Sequence, residues 1–154
     1  YLAQKISTPP LQQYLKIYPT HPNLLKNSLT WFDTLEFPQF SSRFLLECKT
    51  MLGEAVDNVR DHAHEHLAQD LPIPIVITSF AQMISLQIWD QGPGFDLEAR
   101  LASKKQWPDS GATRGRGLMI LTELSNYLGY VRDQGVGNGL GNCLILVKFE
   151  TPSP

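Results

Sequence analysis

The strongest constraint on the fold is a helical periodicity that runs from about Ser41 to Leu67. Apolar side chains recur there every three or four residues, at Phe44, Cys48, Leu52, Ala55, Val59 and Ala63. An α-helix turns once in about 3.6 residues, so these positions lie on one side of it. The segment is therefore predicted to be one long amphipathic helix that buries this stripe in the core.

Five other segments carry the signature of strands. Residues 11–18 alternate loosely between apolar and polar side chains and are expected at the edge of a sheet. Residues 72–80 and 82–90 alternate and are rich in β-branched residues, which predicts two adjacent antiparallel strands. Residues 127–134 and 142–149 predict two more, and the stretch GVGNGLG between them predicts a hairpin loop.

Two shorter helices complete the pattern. Residues 23–36 place apolar side chains at helical spacing, and residues 117–128 do the same after a pair of glycines. Residues 96–114 have no sustained period and contain Pro108 and Gly111, so they predict a loop with a short helical piece. Helices together with antiparallel strands predict an α+β fold.

The composition favours one globular domain over residues 1–154, with frayed ends at residues 1–10 and 151–154. Thirteen basic and fifteen acidic residues leave a net charge of −2, which argues against nucleic acid or a membrane surface as a partner. No apolar run approaches the roughly 20 residues of a membrane span. Cys48 and Cys143 make no disulfide framework, so a reducing, cytoplasmic setting is the default expectation.

An acid and an amide stand four residues apart on the flank of the long helix. Glu54 and Asn58 are neighbours one helical turn from each other, beside the apolar stripe. Such a pair could serve a metal ion and a reacting proton together. Taken alone, it fits a solvated helix flank better, and only partners elsewhere in the chain decide between the two interpretations.

Three histidines follow on the same helix, in the sequence DHAHEH. His62 and His66 are four residues apart, which is compatible with a shared zinc ion, whereas His64 is expected to point to the opposite side. Because His62 and His66 fall on the apolar stripe, hydrogen-bonded histidines at the margin of the core are the favoured interpretation.

The stretch DQGPGF combines an acid with two glycines at the end of a predicted strand. Asp90 would stand at the mouth of a pocket, where a buried acceptor suits an exocyclic amine. Gly92 and Gly94 would let a planar ligand approach the backbone. A glycine-proline turn that merely ends the strand explains these residues equally well.

The stretch RGRGL places glycines just before a helix. Gly115 and Gly117 lie where free backbone N–H groups and the positive end of the helix are expected. Phosphates favour such a place, and Arg114 and Arg116 add positive charge. A simple glycine-rich helix start remains open as an explanation. The stretch is not a P-loop, since no Gly-Lys-Ser/Thr follows a first glycine at the required distance.

Three motifs in order resemble the GHKL ATPases. They are Glu54-x-x-x-Asn58, Asp90-x-Gly92-x-Gly94-Phe95 and Gly115-x-Gly117-Leu118. This superfamily includes the ATP-binding domains of gyrase, heat-shock chaperones, MutL and histidine kinases. The resemblance covers roughly residues 40–150. It implies a two-layer sandwich in which helices cover one face of a mixed, mainly antiparallel sheet.

Within this superfamily the chain looks most like the bacterial anti-sigma-factor serine/threonine kinases. Asn58 is followed by His62-Ala63, and GRGL precedes the helix, as in that branch. Two departures are His64, where the branch usually has an aromatic residue, and Arg114, where it often has glycine. EAVDNVRD is also similar to gyrase, but no room is left for a transducer domain. The histidine-kinase branch usually lacks the acid four residues before its asparagine.

The resemblance implies that the domain binds ATP with Mg²⁺. Asp90 would accept a hydrogen bond from the adenine amino group, and Gly92 and Gly94 would let the base approach. Asn58 would hold the Mg²⁺ against the phosphates. Residues 96–114 would form a lid over the nucleotide.

The resemblance also implies how the phosphates are held and transferred. Gly115, Gly117 and Leu118 would offer backbone N–H groups. Glu54 would orient or deprotonate the attacking hydroxyl, and Arg116 would neutralise charge on the γ-phosphate, because phosphoryl transfer depends on positioning and electrostatics.

The function implied is an anti-sigma regulatory factor that phosphorylates a serine or threonine of an anti-sigma-factor antagonist protein. The alternative is a non-catalytic ATP-binding module that sequesters a sigma factor or another regulator. A third possibility is a domain that keeps the fold without using nucleotide. The resemblance further implies a homodimer.

Overall fold

The structure, a computed structural model, describes residues 9–65, 67, 70–102, 116–132 and 141–151. It is an α+β fold in which helices pack on one face of a five-stranded sheet, as predicted. Every strand pairing in these residues is antiparallel. The sheet was expected to be mixed and mainly antiparallel, and its described part is wholly antiparallel. Most of the predicted hairpin loop and most of the predicted frayed ends lie outside the described residues.

The strands follow the order β1-β2-β3-β5-β4 across the sheet. Their bounds are Gln12–Pro19 for β1, Pro72–Ser79 for β2, Met83–Asp90 for β3, Tyr127–Val131 for β4 and Asn142–Phe149 for β5. β1 lies at an edge and β2 pairs with β3, both as predicted. Because β5 runs antiparallel to β3 in this register, its first residue faces the last residue of β3, and Asp90 pairs with Asn142.

The helices are shorter than predicted. Helix α1 spans Leu24–Thr34 and α2 spans Ser42–Asn58, after which the chain forms a π-helical turn, Val59–Ala63. This turn closes with a hydrogen bond of 2.8 Å from the His64 N–H to the carbonyl of Val59, five residues back. The prediction of one regular helix through the whole periodic segment is therefore wrong at its C-terminal end. Apolar spacing does not report a change of backbone hydrogen-bond partner.

In the described residues, two more helices follow β3. Helix α3 spans Leu97–Ala102 and buries no side chain, which agrees with the short helical piece predicted there. Helix α4 spans Gly117–Leu124 and ends earlier than predicted, because Tyr127 and Leu128 join β4. Among the described residues, no helix is both long enough and apolar enough to cross a membrane.

The core lies between the sheet and helix α2. Strand β2 buries Ile73, Ile75 and Ile77 completely, and β3 does the same with Leu86 and Ile88. They share one cluster with the fully buried residues of α2, which are Cys48, Met51, Leu52, Ala55 and Val56. Burying one large aliphatic side chain contributes about 1.5–3 kcal/mol. This cluster therefore holds α2 across the sheet and sets the position of everything that α2 carries.

The start of α2 is fixed by a serine and a distant glutamate. Ser41 accepts a hydrogen bond from the backbone N–H of Phe44 (3.2 Å) and so caps the helix. Its hydroxyl and its backbone N–H both donate to a carboxylate oxygen of Glu150, at 2.6 and 3.2 Å. The residue that follows β5 is thus tied to the residue that begins α2.

We expect Ser41→Ala to lower the free energy of unfolding by about 1 kcal/mol, because the helix loses its cap and Glu150 loses a donor. Ser42→Ala is the control, since Ser42 is exposed in the first turn of the same helix. Urea unfolding followed by circular dichroism measures both variants. Equal stability of the two would show that the cap contributes nothing.

Candidate functional site

The predicted acid and amide of α2 meet the predicted glycine at the start of α4. Glu54 and Asn58 are both half-buried at the C-terminal end of α2. A Cβ atom added to Gly117 would lie 3.0 Å from the Glu54 Oε2 atom and 3.1 Å from the Asn58 Oδ1 atom. Any larger residue would therefore push into these two side chains. The structure brings Gly117 to Glu54 and Asn58, from which the chain separates it by more than fifty positions.

Arg116 supplies an unsatisfied positive group beside this cluster. It is the N-cap residue of α4, but its side chain does not cap the helix. Its Nε atom is buried and has no hydrogen-bond partner among the described residues. A buried N–H without an acceptor costs about 1–3 kcal/mol, more for a charged group. An anion that enters the site would remove this cost, and the N-terminal turn of α4 would favour the same anion.

The pKa of Glu54 is raised above its ordinary value. Burial is the largest cause, and the nearby carboxylate of Asp57 adds to it, whereas the guanidinium of Arg116 acts in the opposite direction. Asp57 forms an ion pair with Arg60 at 2.9 Å. A carboxylate with a raised pKa is a stronger base than an exposed one, so Glu54 is better suited to take up a proton than a solvated glutamate.

Asp90 ends β3 with its carboxylate almost wholly buried, at 4% exposure. Its Oδ1 atom accepts from the backbone N–H of Gly92 (2.9 Å) and from the side-chain amide of Asn142 (3.0 Å). Its Oδ2 atom accepts from the hydroxyl of Tyr130 (3.2 Å). Each carboxylate oxygen has room for about two donors. Within the described residues, Oδ2 therefore keeps one acceptor position for a ligand.

The glycines around Asp90 are required by close packing. A Cβ atom at Gly92 would lie 2.6 Å from the backbone oxygen of Ala63, in the π-helical turn. Gly94 has a φ of +78°, and a Cβ there would approach the Arg132 Nε atom to 2.9 Å. Gly141 also has a positive φ, +83°, and its Cβ would overlap with the backbone oxygen of Asp90.

The structure describes only some of the remaining predicted residues. Leu118 lies half-buried in the first turn of α4. Gly115 lies outside the described residues, as do Arg114 and residues 103–114 of the predicted lid. His62 and His66, the pair considered for zinc, also fall outside the side chains that the structure describes. In the part of the chain that it describes, no group of three metal-binding side chains occurs.

Sequence reasoning missed three side chains that surround Asp90. Asn142 and Tyr130 donate to its carboxylate, and the ring of Tyr130 packs against that of Phe95 at 4.4 Å. His64 was expected to point away from the apolar side, which is wrong, because it is buried at 3% exposure. The π-helical turn changes the direction in which it leaves the helix. The pairing of Asn142 with Asp90 follows from the β3-β5 register, which residue spacing alone does not give.

Comparison with known proteins adds one finding to this geometry. The family model described as a histidine kinase-like ATPase domain matches residues 21–148, from just before α1 almost to the end of β5. Strand β1 lies before the matched range. A search of the curated proteins found no match.

We expect Gly92→Ala to lower the free energy of unfolding by about 1–3 kcal/mol, because the new methyl group meets the fixed backbone of Ala63. Gly53→Ala is the matched control. A Cβ there would have its nearest contact at 3.4 Å, and alanine favours the helix over glycine by up to about 1 kcal/mol. Chemical denaturation compares the two. A Gly92→Ala protein as stable as Gly53→Ala would contradict the close approach of the two backbones.

Proposed function

The chain belongs to the histidine kinase-like ATPase domain family, and on this basis we propose that it is an ATP-binding anti-sigma regulatory factor that phosphorylates an anti-sigma-factor antagonist protein. Family membership supports the binding of ATP. The observation that supports the kinase role is the half-buried Glu54, which lies against Gly117 within the electrostatic reach of Arg116. A carboxylate in this position can accept a proton next to the place where phosphate charge would be held.

The base of ATP fits the end of the site at Asp90. The acceptor position left on Oδ2 suits the exocyclic amine of adenine. Guanine would present a carbonyl oxygen at the same place, and two acceptors facing each other in a buried site are unfavourable. Gly92 and Gly94 add no side chain of their own to this side of the site. The proposal therefore includes selectivity for ATP over GTP.

The phosphates fit the end of the site at α4. The Nε atom of Arg116, which has no partner among the described residues, and the first turn of α4 both favour an anion. Gly117, which has no side chain, lets Glu54 and Asn58 lie close to this turn. The amide oxygen of Asn58 is the kind of ligand that Mg²⁺ accepts. Bound there, Mg²⁺ would reduce the negative charge of the phosphates.

Transfer would follow from this arrangement. The hydroxyl oxygen of a serine or threonine of the antagonist forms a bond to the γ-phosphorus, while the bond from that phosphorus to the β–γ bridging oxygen breaks and ADP leaves. Glu54 takes up the hydroxyl proton, and Arg116 stabilises the charge on the transferred group. Glu54 is suited to this step because it lies against Gly117 and because burial raises its pKa.

We expect Glu54→Gln to slow phosphoryl transfer by about 10²- to 10⁴-fold, with little change in ATP affinity. Labelled γ-phosphate from ATP is followed onto candidate antagonist proteins in the presence of Mg²⁺, and ATP binding is measured by calorimetry. Glu47→Gln is the control, because Glu47 lies on the same helix but pairs with Arg43 and Lys148.

Two outcomes would contradict this mechanism. Undiminished transfer by Glu54→Gln would remove Glu54 from it. ATP that stays intact with every candidate, while partner binding still requires nucleotide, would support the alternative of a non-catalytic module that sequesters a sigma factor or another regulator.

We expect Asp90→Asn to weaken ATP binding by about tenfold or more and to reduce the preference for ATP over GTP, because an acceptor for the adenine amine is lost. The fold should persist, since asparagine keeps one oxygen for Gly92 and Asn142. Asp96→Asn is the control, as Asp96 is exposed and its bond to the Ala99 N–H survives the change. Unaltered affinity in Asp90→Asn would make the stretch after β3 a simple turn.

A further inference from the structure

His64 is a buried histidine that contributes no group to the proposed chemistry. It follows the π-helical turn, and its backbone N–H closes that turn. Its side chain is held by two polar contacts of 2.7 Å, one from each ring nitrogen. The Nδ1 atom contacts the hydroxyl of Thr20, and the Nε2 atom contacts the backbone nitrogen of Gln91.

These contacts fix the protonation state of the ring. A backbone N–H only donates, so the Nε2 atom facing Gln91 must be the unprotonated acceptor. The hydroxyl hydrogen of Thr20 is donated to the carbonyl of Leu71, at 2.8 Å. The Thr20 oxygen can therefore only accept from His64, and the Nδ1 atom must carry the proton. His64 is neutral, in the Nδ1–H tautomer.

The bond to Gln91 acts on the turn that carries Asp90. Gln91 stands between Asp90 and Gly92, and the N–H of Gly92 donates to the Asp90 carboxylate. Gly92 also lies against the backbone of Ala63, the residue before His64. The π-helical turn and the imidazole thus hold the same three residues, one by packing and the other by a hydrogen bond.

The other end of this chain of bonds lies outside the family match. Thr20 follows β1 and lies just before residue 21, where the match begins. Its backbone N–H donates to the carbonyl of Leu71 at 3.0 Å, in addition to the bond from its hydroxyl. The end of β1 is therefore joined to the turn after β3 through a single imidazole.

We propose that His64 is a positioning residue for the nucleotide, which in its neutral Nδ1–H form holds the backbone from Asp90 to Gly92 in place for the base and releases it on protonation. The proposal rests on the proposed function, because it assumes that ATP binds at Asp90. A proton on Nε2 would face the N–H of Gln91, which can only donate. The hydrogen bond would then be replaced by two donors that repel each other.

The surroundings of His64 set the pH range of this effect. Burial lowers its pKa below the ordinary 6.5, and the carboxylate of Asp90 acts in the opposite direction. His21, Arg60 and Glu65 line the open pocket beside it. Two of these are basic, and when charged they oppose a positive imidazole, whereas Glu65 favours it. A group that is less basic in the folded state contributes stability above pH 6.5 that falls as the pH drops below this value.

The first experiment requires no nucleotide. Nitrogen NMR of histidine-labelled protein at pH 7.5 should show one neutral ring in the Nδ1–H tautomer, which His64→Gln removes. Hydrogen exchange at the Gln91 amide should be slow, and it should become faster in His64→Phe but not in His64→Gln, whose side-chain oxygen can accept the same bond. A ring in the Nε2–H tautomer, or unchanged exchange in His64→Phe, would overturn the proposal.

The second experiment measures ATP binding with Mg²⁺ by calorimetry. His64→Phe should weaken it about tenfold, whereas His64→Gln should restore most of the affinity. Thr20→Val should weaken it and Thr20→Ser should not, although Thr20 contributes no group to the nucleotide site. From pH 7.5 to pH 5.5, the affinity of the unaltered protein should fall more steeply than that of His64→Gln.

The outcomes separate the two proposals. If the unaltered protein binds no ATP, the proposed function fails, and the NMR and exchange results still decide whether His64 holds the turn. If it binds ATP and the His64 and Thr20 variants bind it equally well, the positioning role fails while the proposed function stands. Should His64→Phe not fold, the Thr20 pair and the pH comparison with His64→Gln give the same decision.

Discussion

The arrangement of the candidate site depends on the hydrogen bonds that replace water around one buried carboxylate. The carboxyl group of Asp90 belongs to a nearly inaccessible residue, which is tolerable only when donors replace the lost water. The three donors come from three separate parts of the chain, namely Gly92 just after β3, Asn142 at the start of β5 and Tyr130 on β4. The strand order β3-β5-β4 is what brings Asn142 and Tyr130 to Asp90. A sheet with β4 next to β3 would leave Asp90 opposite different residues.

The two ends of the candidate site differ in the interactions with which they would hold a ligand. Around Asp90, hydrogen bonds and glycine contacts leave one acceptor position within the described residues and little freedom, so a ligand at this end would be selected by its shape and its donor pattern. Around Arg116, a buried cationic group without a partner in the described residues and the first turn of a helix favour negative charge of almost any form. Selectivity is therefore expected from the strand end and binding strength from the helix end. Helix α2 and the π-helical turn that follows it join the two ends, because Asn58 lies at one end and Ala63 packs on the other.

Much of this could be predicted from the sequence, and the limits have physical causes. The apolar stripe around Leu52 and Ala55 and the alternation of β2 and β3 are local patterns, which the core preserves. The spacing of Glu54 and Asn58 places them together on any helix. By contrast, Asn142 contacts Asp90 only through the register of two strands that are fifty residues apart. The inward turn of His64 depends on a backbone bond to Val59 that no side-chain pattern encodes.

The π-helical turn also limits how this chain can vary in length. A turn closed by bonds five residues back accommodates one residue more than a regular α-helical turn. Loss of a single residue between Asn58 and His64 could be absorbed without breaking the helix, since ordinary α-helical bonds would simply resume. Every later side chain would then leave the helix in another direction. Such a deletion would be easily tolerated by the helix and costly to the site, so the site, rather than the stability of the helix, restricts the length of this segment.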